Sequence, residues 1–163
     1  MKKLIYTLLI IIALTSNSFS AGTSSDNDSS SKVSDFTKAK NLVKAAKKYE
    51  KKGKIEKAQK RYAKAQKLLL KSNKKKPLQA DTLNYLGFTT RKLGDYEGGE
   101  KFYLQGLQIE PNHNGINEYL GELYVATNRM DMAKERLEVL KTCNCEEYEE
   151  LKEIIEGTKK SKY

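Results

Sequence analysis

The feature that most constrains this chain is a recurrence of small side chains at a spacing of 34 residues. Counting from Ala80, Gly87 and Gly99 take the eighth and twentieth places; counting from Asn114, Gly121 and Ala133 do; counting from Ala39, Ala46 and Ala58 do. Large apolar residues recur at the fourth, seventeenth and twenty-fourth places, as in Leu83, Tyr96 and Tyr103, with Asn117 as the exception. Two antiparallel helices approach closely only where neither carries bulk, while large residues elsewhere fill the remaining space. Between the two helices of each unit stand Gly53, Gly94 and Asn128, the residue types that adopt a left-handed backbone at least cost. Gly98 has no counterpart in the other units and is expected to weaken the helix start it occupies.

Composition agrees with a helical chain. Lys, Glu, Leu and Ala dominate, Trp is absent, and Pro occurs only at Pro77 and Pro111. The first residues, MKKLIYTLLIIIALTSNSFSAG, place two lysines before an apolar run from Leu4 to Leu14 and then small polar residues. That order predicts a secretory signal peptide over 1–20, cleaved after Ser20. The apolar run falls short of the roughly 18 residues of a spanning helix, so a retained anchor is the weaker reading. Residues 21–33, Ser- and Asp-rich, are expected to form a disordered polar leader. Export to the periplasm of a Gram-negative bacterium is the localisation expected.

The stretch LGFTTRKLGDYEGGEKFYLQGLQIEPN, with its Leu-Gly pair, Gly-x-Tyr, small residue, aromatic, small residue and closing proline, resembles the tetratricopeptide repeat, a 34-residue helix-turn-helix unit. It departs from the pattern in having Thr90 where Tyr is usual and Leu83 where Trp is typical. The resemblance implies an all-α, right-handed solenoid of three such repeats, about 39–79, 80–113 and 114–147, within a domain spanning 34–157. The first unit is seven residues too long, so its second helix is expected to continue through LLLKSNKKK. Tyr148, Leu151, Ile154 and Ile155 form one apolar stripe that predicts a capping helix over about 146–157, closed by Gly157. A solenoid needs such a cap to cover the last repeat's apolar face. Phe36 and the start of the first helix are expected to fray, and residues 158–163 to form a basic tail.

The same resemblance implies that the first helix of each pair lines an inner surface. The side chains it places there include Lys44 and Lys47, then Asn84, Tyr85, Phe88 and Arg91, then Glu118, Tyr119 and Glu122. Tyr85, Phe88 and Tyr119 have two readings, as anchors for a partner or as side chains buried against the neighbouring helix. Some members of the family grip a C-terminal carboxylate; at those positions this chain has Val43, Lys47, Tyr85, Gly115 and Tyr119, of which only Lys47 suits the role.

Charge is divided along the chain. Residues 32–79 carry 18 Lys and Arg against 3 Asp and Glu, whereas residues 80–163 carry 11 against 16. The basic half suits an anionic envelope surface, lipid or polysaccharide, or the acidic cap of a second copy. A lysine-rich helix is also simply a solvated face, and export disfavours nucleic acid.

Cys143 and Cys145 are the only cysteines and are expected to reach an oxidising compartment, where a structural disulfide, plain thiols, a redox pair or metal ligation are the alternatives. His113, alone in a turn, is assigned no site, and the glutamates of EEYEELKEIIE are expected to be the solvated face of the cap. No nucleophile elbow, phosphate-cradling loop or cofactor motif is found, so neither catalysis nor a cofactor is expected. These readings together predict an exported module that binds a protein or peptide along its inner surface.

Overall fold

The computed structural model describes residues 33–161. The expected signal peptide, nearly all of the leader and the last two tail residues lie outside the described residues.

Ser34 opens the first helix by accepting a hydrogen bond from the Thr37 amide through its hydroxyl, so α1 runs Asp35–Glu50. A turn at Gly53, with φ of +66°, leads into α2, Ile55–Lys75. The apolar spacing carries α2 through LLLKSNKK, which accounts for its 21 residues. After the extended approach to Pro77 come α3, Ala80–Lys92, and α4, Tyr96–Ile109, joined at Gly94 with φ of +97°. Then follow α5, Asn114–Ala126, and α6, Met130–Leu140, joined at Asn128 with φ of +57°. The last helix is α7, Glu146–Ile155, closed by Gly157 with φ of +74°. Every regular element among the described residues is a helix.

The helices pack as three successive hairpins, α1 on α2, α3 on α4 and α5 on α6, with each hairpin resting on the next. The matched small residues sit where helices touch. A β-carbon on Gly99 would stand 3.0 Å from the Gly87 carbonyl oxygen and 3.1 Å from Arg91 Cβ, so α3 and α4 are in near backbone contact there. One on Gly87 would meet the Tyr103 ring at 2.5 Å. The core forms two clusters, one from Ala39, Ala46, Tyr62 and Leu69 to Leu83 and Leu86 and one around Tyr103, Leu120 and Leu123, with the half-buried Tyr119 packed against both.

Polar ties lock one hairpin to the next. Gln59 donates to the Lys92 carbonyl at 2.9 Å and Gln66 to the Thr90 hydroxyl at 2.8 Å. Arg129 grips Glu100 with two nitrogens at 2.7 and 2.8 Å, the bidentate geometry that gives such pairs their directionality. Asn117, the exception to the apolar pattern, is wholly buried and hydrogen-bonded: its amide nitrogen donates to the Pro111 and His113 carbonyls, and its oxygen accepts from Arg136.

One expectation is corrected, and Gly98, the glycine without a counterpart in the other units, gains an explanation. Phe36 does not fray; its ring meets Tyr85 edge-on at 5.7 Å, and Asp35 beside it pairs with Lys75 at 2.8 Å. Gly98 does have a structural reason. Its amide donates to the Asp95 side chain that caps α4, at 2.8 Å, and a β-carbon there would collide with the same carboxylate.

The cap decides the shape of the site. By analogy with Gly87, which faces Tyr103 of its own hairpin, Gly121 should face α6. Instead the side chain above Gly121 is Leu151 of α7, whose Cδ2 lies 2.5 Å from where a β-carbon would stand. Leu151 is completely buried, and α7 packs chiefly on α5 rather than on α6.

Candidate functional site

Helices α1, α3 and α5 lie side by side and form the inner wall. Of the nine side chains expected to line it, Lys44 is exposed and Lys47, Tyr85 and Tyr119 are half-buried. Asn84, Phe88, Arg91, Glu118 and Glu122 are buried, which corrects the expectation of an open row of them. Phe88 is only 2% exposed, packed edge-on against Tyr62 at 5.8 Å and tilted against Tyr119 at 5.2 Å. For Phe88 the packed reading is the right one.

Lys47 explains part of this closure. Its ammonium sits 4.5 Å from the Phe88 ring centroid and 5.4 Å from that of Tyr119, and donates to the Tyr119 hydroxyl at 3.1 Å. A cation over two ring faces is attracted by their quadrupoles, so the wall holds its own ammonium at mid-height. Burial pushes the Tyr85 and Tyr119 hydroxyls above their ordinary pKa, so both stay protonated and neutral.

The rest of the closure comes from α7. Arg91 Nη2 pairs with Glu122 at 3.1 Å with both side chains fully out of water, and Arg91 Nη1 donates to the Tyr119 carbonyl at 2.7 Å. Carboxylate oxygens of Glu118, Glu122 and Glu150 lie within 4.8 Å of one another. Three carboxylates so close require cations, and Arg91 and Lys159, which reaches Glu150 at 3.2 Å, supply them. Arg91 and Glu122 therefore tie α3 to α5, with Glu150 of α7 close to Glu118 and Glu122. Glu150 corrects the expectation that the cap's glutamates are all solvated. Nothing in the local pattern announces it, because its partners are 28 and 32 residues away.

Two recesses remain on the wall. The first, about 420 Å³, has Phe88 at its floor, Lys47, Lys51 and Lys92 around it, and Ser161 of the returning tail at its edge. Lys92 pairs there with Glu50 at 2.6 Å. The second, about 480 Å³, lies between the starts of α3 and α5, with Tyr85 and Tyr119 as walls and Asp81, Glu118 and Glu147 among its acidic groups. His113, passed over in the sequence, borders this recess. Its Nδ1 accepts from the Ile116 amide at 3.2 Å, capping α5, and its Nε2 faces Asp81 at 3.4 Å.

Cys143 and Cys145 are joined as a disulfide in the turn from α6 to α7. The pair fixes the chain just before the cap, two residues ahead of Glu147 at the second recess.

Stacked helix hairpins with a lined wall and a terminal cap define an all-α helical-repeat protein. Residues 80–113, the α3–α4 hairpin and its flanks, match the family model described as Tetratricopeptide repeat. Among solved structures it is similar to the first TPR of Spaghetti (RPAP3), determined bound to the HSP90 peptide SRMEEVD. The two share 21% identity over 77% of this chain and 96% of that one, with a TM-score of 0.48. None of the curated proteins matches this sequence.

Proposed function

We propose that this chain is an interaction module that takes an extended segment of another protein along the wall of α1, α3 and α5. The observation that carries this reading is the pair of recesses, one over Phe88 and one beside Tyr85. Phe88 and Tyr85 stand almost one helical turn apart on α3, about 4.5 Å along its axis. The neighbour's HSP90 peptide fits the same general role, although the wall here is not built as a carboxylate clamp. A photoreactive residue at Tyr85, compared with one at the outward-facing Lys67, tests the reading. Adducts specific to position 85 support it, and equal labelling at both positions removes it.

Export is part of the same proposal, supported by the MKKLIYTLLIIIALTSNSFSAG opening and by a disulfide of the kind that oxidising compartments preserve. The mass of the mature chain from the bacterial envelope tests it, with a start at Ala21 expected.

A second reading rests on α2. Lys57, Lys60, Lys64, Lys67, Lys71 and Lys74 follow one another at three- and four-residue steps on its exposed face. This stripe, about 25 Å long at 1.5 Å per residue, suits an anionic envelope surface.

A further inference from the structure

We propose that α2 of one copy of this chain packs along α7 of the next, a head-to-tail contact between copies. The inference goes beyond the wall reading and brings in the outer face of α7, which neither reading above employs.

Two exposed stripes of opposite sign share one spacing. On α2, Lys57, Lys60, Lys64 and Lys67 are exposed at steps of three, four and three residues. None of these four pairs with a carboxylate among the described residues, whereas Lys71 and Lys75 further along α2 are held by Asp35 at 3.5 and 2.8 Å. On α7 and its C-cap, Glu146, Glu149, Glu153 and Glu156 are exposed at the same steps of three, four and three. Of these only Glu153 meets a cation among the described residues, Lys159 at 3.2 Å. Residues three and four apart share a helix face, so like charges repel along each stripe. Each stripe is about 15 Å long at 1.5 Å per residue, and laying one on the other replaces both repulsions with attraction.

The partner has to be a second copy. Within one chain α2 packs only on α1 and α3, and α7 only on α5 and α6, so the two stripes stand at opposite ends of the stack. A lipid surface attracts lysines whatever their spacing. The matched step instead suits a helix, and α7 is the acidic helix this chain itself presents. The division of charge, 18 Lys and Arg against 3 Asp and Glu over residues 32–79 but 11 against 16 over 80–163, steers copies into that orientation. Since the two surfaces differ, each contact leaves one α2 face and one α7 face open, and further copies can add. Exposed ion pairs contribute little apiece, so the association is weak and sensitive to salt.

Sedimentation velocity over a range of protein concentrations at low ionic strength tests this. The wild type is expected to move toward larger species as concentration rises and to return to monomer at about 1 M salt, where the Debye length is about 3 Å. Lys60→Gln/Lys64→Gln and Glu149→Gln/Glu156→Gln, each with a wild-type circular dichroism spectrum, should each self-associate about three- to tenfold more weakly. An equimolar mixture of the two variants retains one intact α2 face and one intact α7 face, so it should form dimers with wild-type affinity and grow no further. A wild type that stays monomeric, association indifferent to either double substitution, or a mixture no more associated than its components overturns the inference. Crosslinking at Tyr85 and vesicle binding by the Glu149→Gln/Glu156→Gln variant are separate readouts, so the contact can fail while the other readings stand.

Discussion

Arg91 of α3 and Glu122 of α5 meet at 3.1 Å with neither side chain reaching water, 31 residues apart in the chain. The pair joins the second hairpin to the third at the point where α7 closes over them. Removing one member of such a pair leaves a charge stranded in a low-dielectric interior. Arg91→Met should therefore lower stability by about 3–5 kcal/mol in urea unfolding. Arg91→Met combined with Glu122→Leu should recover part of that loss. Additive losses would show that the two residues do not act as a pair.

The small residues at helix crossings should respond differently according to what faces them. Gly99→Ala presses on the backbone carbonyl of Gly87, which no side-chain change can move, and should cost about 1–3 kcal/mol. Gly121→Ala presses on the branched end of Leu151, so Leu151→Val should relieve much of its cost. Thermal melts of the single and double variants measure this. Equal rescue of both glycine variants by Leu151→Val would contradict the contacts described.

Lys75 and Lys71 hold the Asp35 carboxyl below its ordinary pKa of 3.8, Lys75 through a hydrogen bond chiefly. Because the folded value is the lower one, this contribution is fully present above pH 3.8 and fades as pH falls through the folded value. Hydrogen exchange in the first turn of α1 should accelerate across that acid range in the wild type. In Asp35→Asn the exchange should already be fast at neutral pH, with that part of its acid dependence gone. Strong protection of the first turn in the variant would mean that Phe36 alone anchors it.

The lysine stripe on α2 makes a prediction separate from the wall. Replacing Lys60, Lys64 and Lys67 with Gln should weaken binding to anionic phospholipid vesicles at low salt by about tenfold or more. Moderate salt should abolish the wild-type binding as well. Crosslinking through position 85 should be unchanged. Vesicle binding indifferent to salt and to these substitutions would dispose of the stripe as a docking surface.

The sequence alone determined the helices, their pairing and the turns between them. A hairpin's register is written locally: Gly53, Gly94 and Asn128 mark reversals because few other residues accept a positive φ, and Gly87 and Gly99 mark contacts because nothing larger fits. The long α2 was legible for the same reason, since its apolar spacing simply continues. What covers the polar side of a helix was not legible. Periodicity tells which face of α5 is apolar, but Glu118 and Glu122 are buried where α7 leans across α5, with Leu151 over Gly121 and Glu150 close to both carboxylates. Those partners are dozens of residues apart, and long-range charge pairs leave no trace in a window of neighbouring residues. Tertiary packing alone therefore decided which of the nine expected wall residues stay accessible, and set an acidic, tyrosine-walled recess where the sequence had suggested an open groove.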